Sequence, residues 1–133
     1  MFYTSLVYGL FIFDLFKING IFSKKPAYSI DYQPTVTLVV PAFNEESFIL
    51  EKVKNSLNLD YPKAKLRILF VTDGSTDKTF QILNDAEGVE VSHESRRAGK
   101  AAAENRAMTL IDTPIVVFCD ANTYLNKDCI KNL

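Results

Sequence analysis

Three polar clusters in this 133-residue sequence carry residue types able to do chemistry. They are Pro41-Ala42-Phe43-Asn44-Glu45, Asp73-Gly74-Ser75-Thr76-Asp77 and Asp120-Ala121-Asn122. Asp120 and Asn122 stand two positions apart, so an extended chain points both side chains the same way. Two oxygen donors at that spacing suit a hard divalent cation, Mg²⁺ or Mn²⁺. Such an ion can bridge to a diphosphate and stabilise a leaving group as a Lewis acid. The same residues also read as an Asx turn after a strand, and spacing alone leaves both readings open. Asp73 is followed by Gly74, which lets the chain turn sharply and leaves the carboxylate free to accept hydrogen bonds from a base or a ribose. A helix-cap reading of Asp73 stands beside that one, and Ser75 and Thr76 fit caps better than ligands. Arg96, Arg97 and Lys100 surround Gly99 in a basic loop that can hold phosphate at a helix N-terminus or simply be solvated.

Composition removes several alternatives. Lys plus Arg number 15 against 16 Asp plus Glu, a net charge of −1, which argues against a nucleic-acid partner bound through a basic face. His93 is the only histidine, and Cys119 and Cys129 are the only cysteines. A disulfide scaffold and a Cys/His zinc site are therefore disfavoured, and a Ser-His-Asp machine would have to be built on His93 alone. No G-x-G-x-x-G follows the first strand, and Gly99-Lys100 lacks the earlier glycine and following Ser/Thr of a P-loop.

The clusters need elements to position them. Residues 35–40, 66–72, 89–92 and 115–119 read as strands, and the long ones are β-branched and apolar without alternation. Helices are expected over 45–57, with Asn44 as N-cap, over about 77–86, and over about 100–110, with a further helix starting near Asn126. Gly88 should end the second helix. The order βαβαβαβ predicts an α/β fold with a mostly parallel sheet and helices on both faces. All three clusters then fall at carboxyl ends of strands, where such sheets bind ligands.

The first 22 residues differ from the rest. The first 13 carry no charge, then Asp14 and Lys17 interrupt the run. This is short for a complete span of about 20 residues. The tail of a transmembrane helix and an interfacial amphipathic helix both fit; a signal peptide lacks its basic region and cleavage site. Membrane association is favoured over a soluble core helix. Lys24 and Lys25 favour a cytoplasmic location for the downstream α/β part, and residues 23–34 read as a linker.

Taken together and in order, four segments resemble the family 2 glycosyltransferases with the GT-A, Rossmann-like nucleotide-sugar-binding fold. They are Val40-Pro41-Ala42-Phe43-Asn44-Glu45-Glu46, Val71-Thr72-Asp73-Gly74-Ser75-Thr76-Asp77, Arg97-Ala98-Gly99-Lys100 with Ala102-Ala103-Glu104-Asn105-Arg106-Ala107, and Asp120-Ala121-Asn122-Thr123. The resemblance implies that Pro41, Ala42 and Phe43 line the base pocket and that Glu45 and Asp73 hold a uridine-like nucleoside. It places Lys100 and Asn105 near the donor. Asp120 would be the metal ligand of the family's D-x-D motif, with Asn122 in the place of its last carboxylate, and the cofactor a divalent ion, Mg²⁺ or Mn²⁺. The implied activity is inverting transfer from a nucleoside-diphosphate sugar, a UDP-sugar, to a glycan or lipid-linked acceptor, as in polysaccharide synthesis, with membrane attachment through residues 1–22. On this reading residues 35–133 are the donor-binding part of an incomplete GT-A domain, and the general base falls beyond Leu133. A nucleotidyltransferase and a non-catalytic nucleotide-binding or interaction module are the rival readings; the acidic Pro41–Glu46 segment speaks against the first.

Overall fold

A computed structural model describes residues 32–133. The expected hydrophobic helix over 1–22, its membrane contact, the Lys24-Lys25 pair and most of the 23–34 linker lie outside the described residues. Among the described residues no helix is long and apolar enough to cross a membrane.

Four strands form one sheet: β1 (Val36–Ala42), β2 (Leu66–Asp73), β3 (Glu90–Glu94) and β4 (Ile115–Phe118). Their spatial order is β3-β2-β1-β4, and every pairing is parallel. Val36 faces Leu66 on one side and Ile115 on the other, so β1 is central. Alternate residues of β1 and β2 supply two cores, which is why neither strand alternates in polarity. Leu38, Val40, Ile68 and Phe70 pack on one face with Ile49 and Val53 of α1 (Ile49–Leu57) and Leu83 of α2 (Thr79–Asn84). Val39, Leu69 and Val71 pack on the other with Ala103 and Ala107 of α3 (Lys100–Met108). Two alanines one turn apart let α3 lie close to the sheet.

The expected α/β architecture is present, with several boundaries moved. The first helix starts at Ile49, not Glu45. Asn44 does not cap it: its φ of 54° turns the chain into the left-handed region, and residues 45–48 make tight turns in which the Phe48 and Ile49 N–H groups both donate to the Glu45 carbonyl. The second helix is shorter than expected, and Ser75 and Thr76 do not cap it. The third ends at Met108. The third strand runs to Glu94 and is only half-buried at the sheet edge. The chain after Asn126 forms turns rather than a helix.

Candidate functional site

The strand order reverses at β1, since β2 lies on one side and β4, the next strand after β3, on the other. Ligand clefts in α/β sheets open at such a reversal. A cleft of about 310 Å³ occurs there. Pro41, Ala42, Phe43 and Glu45 line it from the end of β1, Asp73 from the end of β2, and Asp120, Ala121 and Asn122 from the chain just after β4. Arg97, Gly99, Lys100 and Ala103 close it from the loop and first turn of α3. The three clusters far apart in sequence therefore each contribute to one cavity, the second through Asp73 alone, together with part of the basic loop.

Asp73 is 4% exposed and organises the floor. Its Oδ2 accepts the Gly99 N–H at 2.6 Å, and the Ala98 N–H lies 3.1 Å from both oxygens. Arg106 adds a guanidinium nitrogen 3.8 Å from Asp73 Oδ1, and its Nη2 donates to the Thr72 carbonyl at 2.9 Å. A carboxylate has about four lone-pair sites, so Asp73 can fix the loop and still accept a donor from the cleft. Above it, the Arg97 guanidinium carbon stands 3.9 Å from the centre of the Phe43 ring, a cation–π contact. Gly74 makes this closeness possible. Its φ is +66°, and a Cβ there would meet the Arg97 backbone nitrogen at 2.5 Å.

The acidic wall is built differently from the extended chain expected by spacing. Residues 120–123 form a turn, closed by the Thr123 N–H on the Asp120 carbonyl at 3.2 Å. The turn and ligand readings thus coexist, because the turn leaves both Asp120 and Asn122 on the cleft. Lys100 Nζ donates to Asp120 Oδ1 at 2.5 Å and lies 4.0 Å from Glu104. The bond and charge of Asp120 push the lysine's pKa up from its ordinary value. For a divalent ion the donor set fits: Mg²⁺ and similar hard ions take one or two carboxylates, with remaining sites filled by water and substrate phosphate. Among the described residues no group of three or more His, Cys, Asp or Glu gathers, so an all-protein cage is not built here.

The first two clusters are sewn together beside the cleft. Asn44 Oδ1 accepts the Thr76 N–H at 2.8 Å, and the Asn44 N–H donates to Ser75 Oγ at 3.2 Å. The Glu46 N–H donates to Asp77 Oδ2 at 3.1 Å while Glu46 Oε2 accepts the Lys78 N–H at 3.0 Å. Burial alone would raise the Asp77 pKa; hydrogen bonds from the Thr79 hydroxyl and N–H and from the Glu46 N–H outweigh it and hold the carboxyl below its usual value.

One residue expected near the donor stands elsewhere. Asn105 is exposed on α3 and does not line the cleft, whereas its neighbour Arg106 reaches Asp73. His93 is exposed, stacked on Phe80 with ring centres 3.8 Å apart, and its Nδ1 pairs with Thr72 Oγ1 at 2.8 Å. Cys119 is a buried core residue. Beneath the acidic turn, the wholly buried Lys52 and its neighbour Asn55 on α1 make contacts that no local pattern signals.

A family model described as Glycosyl transferase family 2 matches residues 37–133. A β-monoglucosyldiacylglycerol synthase of Nostoc sp. is 31% identical over 140 residues, covering 94% of this chain and 30% of that protein. The poly(ribitol-phosphate) β-N-acetylglucosaminyltransferase TarS of Staphylococcus aureus is 30% identical over 100 residues, covering 72% of this chain and 18% of that protein. The chain thus spans less than a third of the length of these relatives. Among solved structures, the mannosyltransferase PcManGT of Pyrobaculum calidifontis, in complex with GDP-Man and Mn²⁺, superposes with a TM-score of 0.72 at 30% identity, covering 94% of this chain and 39% of that one. TarS residues 1–349 with UDP-GlcNAc give a TM-score of 0.67 at 28% identity, covering 74% of this chain and 29% of that one.

Proposed function

The chain belongs to glycosyl transferase family 2, and from that premise we propose that its cleft binds the donor of an inverting transfer, a nucleoside-diphosphate sugar of the UDP type. The observation that carries this reading is the convergence of Phe43, Asp73, Lys100, Asp120 and Asn122 on one cavity at the strand-order reversal. Similar proteins in complex with GDP-Man and Mn²⁺ and with UDP-GlcNAc support it.

Each residue then has a defined task. Phe43 and the guanidinium of Arg97 offer flat surfaces to a base, and Asp73 accepts a base or ribose hydrogen. Pro41, Ala42 and Glu45 wall that end of the cleft. Asp120 and Asn122 would hold the divalent ion, which when bound neutralises charge on the diphosphate leaving group. Lys100, 60% exposed, exchanges Asp120 for a diphosphate oxygen. Asn105 has no contact task in this cleft. The acceptor, a glycan or lipid-linked hydroxyl, the base that deprotonates it, and membrane attachment through residues 1–22 with the catalytic part cytoplasmic belong to the same proposal.

Titration calorimetry of UDP with and without Mn²⁺ tests it. Asp120→Ala should abolish the gain that Mn²⁺ gives to UDP binding. Asp73→Ala should weaken UDP whether or not the metal is present. Folded variants that bind UDP and metal as the wild type does would sink the assignment.

A further inference from the structure

We propose that Lys52 and Asn55 of α1 are positioning residues that set the Asp120–Asn122 turn against the cleft. They stand three apart on one helix face. Lys52 is 1% exposed, and its Nζ lies 2.9 Å from Cys119 Sγ and 2.5 Å from the Thr123 carbonyl. Asn55 donates from Nδ2 to the Leu125 carbonyl and accepts the Leu125 N–H on Oδ1, both at 2.9 Å. Cys119 and Thr123 bracket Asp120–Asn122, so the amine grips both ends of the turn while the amide fixes the chain two residues on. β4 stops at Phe118, the Cys119 N–H still donates to the Val39 carbonyl of β1 at 3.0 Å, and beyond it residues 120–123 pair with no strand among the described residues.

The chemistry of Lys52 is a poor choice for stability. Among the described residues no carboxylate forms an ion pair with it, and its partners are a thiol and a carbonyl. Burying an amine with no carboxylate to pair with it costs desolvation that no Coulombic attraction offsets. A methionine would fill the same space. What it could not do is donate to the Thr123 carbonyl, which the Cys119 thiol reaches only at 3.8 Å. Lys52 does not line the cleft, so it acts through the turn. Outer groups that orient metal ligands commonly matter in this way.

This inference rests on the donor-site reading, and the experiment separates the two. The probes are UDP and Mn²⁺, titrated into the 133-residue chain carrying Lys52→Met or Asn55→Ala. Lys52→Met should keep or raise the thermal midpoint. It should weaken Mn²⁺-dependent UDP binding about 10- to 100-fold, the range typical of lost outer-shell partners, and leave metal-free UDP binding unchanged. Asn55→Ala should weaken the metal-dependent part in the same direction. A Lys52→Met chain that fails to fold, or that binds Mn²⁺ and UDP like the wild type, or that loses metal-free UDP binding equally, overturns the proposal. A wild-type chain whose UDP binding ignores Mn²⁺ instead refutes the donor-site reading beneath it.

Discussion

Asp77 carries hydrogen bonds from two loops, and its titration reports on both. Against the upward push of burial, Thr79 and Glu46 hold its carboxyl below the ordinary value near 3.8. A depressed folded-state pKa contributes stability that is fully present above the unfolded value and is lost as pH falls through the folded one. Asp77→Asn keeps one acceptor oxygen and places an amide nitrogen where the Glu46 N–H needs an acceptor. The expected result is a loss of about 1–2 kcal/mol at neutral pH, together with a flatter decline of stability between neutrality and strong acid. Urea unfolding at a series of pH values checks both. At this scale the sequence was informative wherever residue type and strand-end position agreed. Asp73, Asp120 and Lys100 are ionic residues at the tips of apolar strands or at the start of a helix, and all three reach the cleft. Arg106 and Asn105 are adjacent in one motif, and choosing between them needs the rotation of α3 to about one residue, or about 100°. Lys52, between Ile49 and Val53, reads like any surface lysine of an amphipathic helix; its burial comes from Cys119 and Thr123, which are remote in sequence.

The elements were legible in kind and less so in extent. Runs of Val, Ile and Leu declared β1, β2 and β4, whereas helix starts depended on loop-to-loop bonds such as Asn44 to Thr76, invisible to local pattern. The loops also separate two glycines that look alike in sequence. Gly74 has φ +66° and no room for a Cβ against the Arg97 backbone. Gly99, the residue before α3, has φ 97° and ψ 162° with nothing within 4 Å of a built Cβ. Gly99→Ala should therefore cost only backbone strain, about 1–3 kcal/mol. Gly74→Ala adds to the roughly 1–2 kcal/mol left-handed penalty a displacement of the basic loop, and should also lose UDP binding. Denaturation and calorimetry on the two variants compare them; equal UDP affinity in both would contradict this role for Gly74.

For the molecule as a whole, the parallel sheet followed from the βαβ rhythm, and the cleft from the rule that ligands gather at strand ends. The crossing of β4 to the far side of β1 had no local signal, since it depends on which sheet edge remains free. Attachment by residues 1–22 is testable independently of the cleft. The 133-residue chain should sediment with vesicles containing anionic lipid, and a chain beginning at Gln33, where the compact unit starts, should stay in the supernatant. Equal partitioning would remove the anchor from the proposal. The sheet order also dictates a sequence of events in time. β1, β2 and β3 are neighbours in the order in which they are synthesised, but β4 must return across the sheet to pair with the first strand, and contacts between remote segments form slowly. During synthesis the side of the cavity lined by Pro41, Ala42, Phe43 and Asp73 can be shaped early. The turn bearing Asp120 and Asn122 arrives only when β4 docks, so under the proposed donor site a nascent chain would grip a base before it could grip a metal-bound diphosphate.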